Sequence, residues 1–246
     1  MMLHGLGAVF LREMILLKRR FKRYVVGVAI SPVLYLVAFG TAMGTEARFD
    51  GHTYLEFLLP GLVAMTTMTQ AYGTATEINI ARFYLHIFEE FQSAPISNVA
   101  YVLGEVFSGM TRALLGVLVI LGLGAAFGVS LHTGPWFWLA AALNAFAFAS
   151  LAVLLAMLVT GHGDQALLNS FVITPMAFLG GTFFPLDRMP EWAQGLLYAL
   201  PLTHASQAIR ADAFGQPALW AHFAVLAAVG VAVFAAALVS VGRARD

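Results

Sequence analysis

Residues 176–210 read MAFLGGTFFPLDRMPEWAQGLLYALPLTHASQAIR. This stretch decides the fold. It starts as the end of an apolar helix and breaks at Pro185. A few polar residues follow without becoming a soluble loop, and then two short apolar pieces, Glu191–Leu200 and Thr203–Phe214. Crossing a bilayer takes about 20 residues of helix, and neither piece has them. Non-helical backbone at membrane depth persists only where protein or a water-lined cavity covers it. The stretch therefore reads as a membrane helix followed by a broken, half-inserted segment.

The composition agrees with a membrane chain. Of 246 residues, 60% are hydrophobic and 11% charged, and the mean hydropathy is +0.83. Soluble domains carry about 25% charged residues. The formal net charge is zero, so charge gives no footprint for a nucleic-acid partner. The absence of cysteine excludes disulfides and thiolate chemistry.

Working outward, six apolar segments are near spanning length, at about 24–44, 57–78, 103–128, 136–159, 168–185 and 218–241. The expected fold is an all-α membrane protein with six transmembrane helices. An amphipathic N-terminal interfacial helix precedes them over 5–22, and short re-entrant outer helices lie at 191–213, between spans five and six. The run Tyr24–Gly44 is longer than the 7–15 residues of a signal-peptide core, so an uncleaved first helix is expected. Basic residues in short loops set orientation. Arg12, Lys18, Arg19, Arg20, Lys22, Arg23, Arg82, Arg243 and Arg245 fall on one side, and Arg48, Arg188 and Arg210 on the other. The first set marks the cytoplasm, which puts both termini inside. In residues 5–23, Leu6, Val9, Phe10, Met14 and Leu17 recur at helical spacing ahead of a basic cluster. That pattern fits a helix lying in the interface against anionic membrane lipids.

The search for enzyme chemistry returns little. There is no P-loop, no HExxH and no GxSxG, and the histidines are scattered. Neither a catalytic site nor a cofactor or metal site is assigned to this chain. Gly161–Asp164 reads as a tight turn between spans four and five. Two other regions are informative. Arg82–Gln92 is amphipathic, with Phe83, Ile87, Phe88 and Phe91 as its apolar stripe, Glu89 and Glu90 as its acids, and Pro95 as its stop. A short surface helix with exposed aromatics can dock a soluble partner; it can equally pack on its own bundle. Glu77, Glu105 and Arg112 are ionisable residues at or within apolar segments, and such residues face an interior or a cavity. Structural pairing or snorkelling suits Arg112 better than substrate contact.

These motifs together resemble the membrane-spanning subunit of type-2 ABC exporters, in the branch of bacterial nodulation-factor and polysaccharide exporter permeases. Leu59-Pro60-Gly61 opens span two as that family does. Phe88–Val102 with Ala94-Pro95-Ile96-Ser97 and Gly104-Glu105 resembles a second family stretch, although Glu105 stands where many members have lysine. Pro175, Phe178-Leu179-Gly180-Gly181, Phe183-Phe184-Pro185-Leu186, Met189-Pro190, Trp192, Pro201-Leu202-Thr203 and Arg210 resemble its signature around span five. The resemblance implies a plasma-membrane (bacterial inner-membrane) homodimer with two copies of a separate ABC ATPase, which holds ATP and Mg. It implies that the helix at about 82–93 is the coupling helix, with Arg82, Phe83, Ile87, Phe88, Glu89, Glu90, Phe91 and Pro95 at the ATPase contact. It places Phe178, Gly180, Gly181, Phe183, Phe184 and Pro185 near the outer gate of a pathway lined by spans one, two and five. An aromatic lining suits an amphipathic or hydrophobic cargo: a lipid, a lipid-linked glycan or a drug. The rival readings are an ion-coupled secondary transporter and an intramembrane enzyme.

Overall fold

In the computed structural model, described over residues 2–43, 48–49, 51–85, 87, 96–159 and 161–243, the protein is all-α apart from one minimal hairpin. The hairpin pairs β1 (Arg48–Phe49) with β2 (His52–Thr53), and Gly51 at φ 85° makes its turn. Phe88, Glu89, Glu90, Phe91 and Pro95, expected at the ATPase contact, lie outside the described residues.

The first helix, α1 (Met2–Arg19), runs into α2 (Phe21–Met43). The line of α1 that packs inward is Gly5, Val9, Glu13 and Leu17, at i, i+4 spacing. It lies on α5 (Asn98–Ala126) so closely that a Cβ on Gly104 would sit 2.7 Å from the Val9 Cβ. Leu3, Leu11 and Ile15 on the other faces stay exposed, as an interfacial helix requires.

Next come α3 (Tyr54–Tyr72) and α4 (Thr74–Phe83). A capping box starts α3. Thr53 Oγ1 accepts from the Glu56 N–H at 3.3 Å, and the Glu56 carboxylate accepts from the Thr53 N–H at 2.7 Å. Gly73 divides the two helices at φ −54°, ψ −23°, so the chain continues in helical geometry across the joint. α3 is the central pillar of the fold, buried along most of its length.

The helix α6 (Pro135–Leu158) packs beside it. Ala140, Ala141, Ala145, Ala149, Ala152 and Ala156 are buried, so neighbouring helices come close. Both ends of α6 are capped by distant side chains. The Asp212 carboxylate accepts from the Gly134 N–H at its N-terminus, at 2.7 Å. The Arg82 guanidinium donates to the Ala156 and Met157 carbonyls at its C-terminus, at 3.0 and 3.1 Å. Acid at the start and base at the end is the arrangement the helix dipole favours.

The fifth apolar segment is helical over 162–179 but not uniformly. It comprises α7 (His162–Leu168), a π-helical turn (Asn169–Ile173) and α8 (Thr174–Leu179). After Gly180–Pro185 come a 3-10 turn (Leu186–Arg188), α9 (Glu191–Leu197) and α10 (Pro201–Ala213). The last helix is α11 (Trp220–Arg243); its His222 Nδ1 lies 2.7 Å from His204 Nδ1 of α10.

Four stretches are long and apolar enough to cross a membrane: Phe21–Thr41, Asn98–Ala126, Pro135–Leu158 and Trp220–Arg243. The second and fifth of the six expected spans fall short of that test among the described residues. In the second, the 19-residue α3 is long enough but not apolar enough, since it carries Glu56, Thr66, Thr67, Thr69 and Gln70; the fifth is broken by the π turn and is polar at its start.

Candidate functional site

The turn Gly180–Pro185 follows α8, with Gly181 at φ 78° in the left-handed region that glycine adopts without strain. Three of its carbonyls are held by side chains from two helices, α10 and α3. Ser206 Oγ donates to Gly180 O at 2.6 Å, Arg210 Nη2 donates to Gly181 O at 2.8 Å, and the Tyr54 hydroxyl donates to Phe183 O at 3.1 Å. Arg210 also lies 4.0 Å over the Phe57 ring. On the far side Gly61 of α3 packs against the turn's backbone. A Cβ at Gly61 would lie 2.5 Å from Thr182 O and 2.8 Å from Thr182 Cα. Leu59-Pro60-Gly61 and the Gly180–Pro185 turn are therefore one contact, although about 120 residues separate them. Irregular backbone in an apolar setting must find internal partners, and here it does.

The outer-gate residues of the sequence reading divide in two. Phe183 is buried, in an aromatic cluster with Tyr35 at 5.0 Å, Phe178 at 5.2 Å and Phe39 at 5.6 Å between ring centroids. Gly180 and Gly181 are buried, Pro185 is half-buried, and Phe178 and Phe184 are exposed. Phe178 also lines a cavity of about 610 Å³ between α2, α3 and the fifth segment. Its other walls include Ser31, Thr66, Gln70, Asn169 and Thr174. The cavity offers hydroxyl and amide groups but no charged side chain, and Tyr35 and Phe178 line it beside the turn. The π turn begins at Asn169 on its wall. Such turns recur at functional sites because they break the regular ladder. Gln165 and Tyr72 also line the cavity; Asn79 Nδ2 donates to Gln165 Oε1 at 2.9 Å, and Gln165 Nε2 donates to the Tyr72 hydroxyl at 2.8 Å.

The charged residues gather at the opposite end. Arg112 Nη2 pairs with Glu13 at 2.9 Å, and Arg112 Nη1 pairs with Glu77. Arg12 closes on Glu13 from its own helix at 2.9 Å. Tyr24 donates to the Arg112 carbonyl. One cation thus ties α1, α4 and α5 together. Burial pushes the Glu13 carboxyl above its usual range, and Arg12 and then Arg112 pull it back. Glu105 is buried nearby and forms no ion pair among the described residues. Arg82, which opens the coupling segment, is engaged with the end of α6 and lies 5.0 Å from the Phe83 ring centroid. Phe83 and Ile87 are half-buried.

Sequence reading missed Glu13 as a partner for Arg112, and the Asn79–Gln165–Tyr72 chain. The i, i+4 line through Gly5, Val9, Glu13 and Leu17 was the available signal for the first. No local signal marked the second.

Comparison with known proteins gives a consistent result. The sequence model of the ABC-2 type transporter family matches residues 4–214. Inner membrane transport permease YadH of Escherichia coli K12 is 28% identical over 198 residues, which is 78% of this chain and 77% of that protein. Nodulation protein J of Sinorhizobium fredii is 30% identical over 213 residues, covering 85% of this chain and 81% of that protein. Nodulation protein J of Rhizobium leguminosarum bv. viciae is 30% identical over 220 residues, with 85% and 82% covered.

Proposed function

We propose that the chain, which belongs to the ABC-2 type transporter family, is the permease half of an ATP-driven exporter in the bacterial inner membrane. Two copies pair, and two copies of a separate ATPase subunit dock on them. ATP and Mg are held by that ATPase. Six segments cross the bilayer, the second and fifth as interrupted helices, and both termini face the cytoplasm. α9 and α10 re-enter from the outside without crossing. The cargo is amphipathic or hydrophobic: a lipid, a lipid-linked glycan or a drug.

The observation behind this reading is the cavity between the first, second and fifth apolar segments, with uncharged hydrogen-bonding groups on its walls and the rings of Tyr35 and Phe178 beside the turn. Hydroxyls and amides suit a polar neutral head, and the rings suit an apolar body. A pathway for bare ions would place charge or a ring of carbonyls there.

The motion follows from the ATPase. Nucleotide binding on the partner biases a two-state bundle through the interfacial α1 and the 82–93 segment. In that segment Phe83, Ile87, Phe88 and Phe91 bear on the ATPase, with Glu89 and Glu90 beside them and Pro95 ending the helix. Arg82 joins the segment to α6 through its hydrogen bonds to the helix end. The far end of α6 is held by Asp212 of α10, so a push at Arg82 has a continuous path to the outer turn.

The test is Phe88→Asp and Phe91→Asp in the reconstituted complex. Each removes an aromatic anchor from the docking face, so permease-dependent ATP hydrolysis falls at least about tenfold while the spans stay folded. Normal stimulation in both variants would reject the docking role.

A further inference from the structure

A second hollow, separate from the cavity above, lies where α1 turns into α2. Its volume is about 320 Å³. Its charged walls are Arg12, Arg20, Arg23 and Arg112 with Glu13 and Glu77. The two acids are spent on the two inner cations, through the Arg12–Glu13, Arg112–Glu13 and Arg112–Glu77 pairs. Arg20 and Arg23 remain. Both are exposed, and among the described residues neither has an acidic partner. The hollow is thus positive by two charges at its mouth.

Leu16, Ile80 and Leu85 give the same hollow an apolar flank. The mouth lies at the membrane surface, because Arg20 and Arg23 sit at the start of Phe21–Thr41, a stretch long and apolar enough to cross a membrane. A site with two guanidinium groups at a membrane surface and an apolar flank fits one chemistry. We propose that this hollow holds the phosphate headgroup of an anionic phospholipid from the adjacent leaflet. Arg20 and Arg23 donate to the phosphodiester oxygens, where the planar guanidinium matches the anion's geometry. Leu16, Ile80 and Leu85 meet the start of the acyl chains. A volume of about 320 Å³ holds roughly ten waters' worth of liquid, enough for a headgroup rather than an ion. A lipid seated there stitches α1, α2 and α4 together beside the Arg112 ion pairs. The inference does not rest on the transport reading.

The experiment uses the full chain in neutral detergent and native mass spectrometry. Phosphatidylglycerol and phosphatidylcholine are added at equal concentration. The unaltered protein retains phosphatidylglycerol roughly ten- to thirtyfold more than phosphatidylcholine, as two interfacial cations predict. Arg20→Gln with Arg23→Gln abolishes the preference. Lys18→Gln with Lys22→Gln removes the same charge from the same segment, outside the hollow, and keeps it. Arg20→Lys with Arg23→Lys retains most of it, which shows that charge and not misfolding is read. Equal loss in the two glutamine pairs would overturn the proposal in favour of diffuse attraction. Displacement of the lipid by inorganic phosphate at matching concentration would overturn it in favour of a free-anion site.

Discussion

The two ends of this bundle are held by different chemistry. At one end the Gly180–Pro185 turn is fixed by Ser206, Arg210 and Tyr54, each on a specific carbonyl, and by Gly61 pressed on its backbone. None of these contacts can be exchanged for another without leaving a buried carbonyl unpaired, at about 1–3 kcal/mol each. At the charged end one guanidinium serves Glu13 and Glu77 from two other helices, and the Glu77 side chain is 44% exposed. Arg112 itself is buried, but its partner Glu77 reaches water, so that half of the pairing can be released while Glu13 keeps the cation paired. The contrast suggests which end moves: carbonyl clamps hold a single arrangement, whereas a shared charge tolerates two.

Arg112→Met should produce the largest effect. It leaves the buried Glu13 with Arg12 as its remaining cation, so thermal unfolding in a fixed lipid–detergent mixture falls by as much as about 3 kcal/mol, the lower end of the cost of breaking a buried pair. The gap to the unaltered protein narrows as pH is lowered. Burial already raises the Glu13 carboxyl above its usual range; without Arg112 it rises further, so the folded state gains stability as pH falls through that range. A pH-independent gap would mean that Arg112 acts by packing alone.

Gly61→Val comes next. Its Cβ meets the Thr182 backbone rather than a flexible side chain, so the loss sits at the upper end of ~1–3 kcal/mol. Hydrogen exchange should localise that loss to the turn and α3. Arg210→Met is smaller, about 1–3 kcal/mol, because removing the cation also removes its burial cost. Faster exchange in α8 and α10, with the charged end unchanged, is the expected pattern. Glu77→Gln is the smallest, within about 0–1 kcal/mol for a pair so open to water. If Glu77→Gln matched Arg112→Met, the charged end would be as rigid as the end that holds the Gly180–Pro185 turn, and the contrast between them would fail.

How much of this was legible in the sequence depends on distance along the chain. The break after Leu179 and the two short outer helices were readable, because Gly180-Gly181, Pro185, Pro190 and Pro201 punctuate locally. The partner of that turn was not. Leu59-Pro60-Gly61 looked like a helix start, and only three dimensions show why it bears glycine. The amphipathic α1 was legible as a class, yet of the stripe chosen by hydrophobicity only Val9 and Leu17 fall on the buried line, while Leu6, Phe10 and Met14 are half-buried. In a membrane both faces of such a helix are apolar, so hydrophobicity cannot pick the inner one, and the acid Glu13 was the better marker. The division of the second segment at Gly73 left a faint trace, the polar run Thr74-Ala75-Thr76-Glu77. The π turn left none, since Asn169 and Ser170 read equally well as ordinary helix.

The most direct test of the account is co-purification of the tagged chain from native membranes under mild detergent, followed by ATP hydrolysis in lipid. The account predicts a stoichiometric ABC ATPase whose turnover depends on this permease and falls when the 82–93 segment is altered. Recovery of the chain without any ATPase, together with transport that persists under a proton or sodium gradient alone, would contradict it.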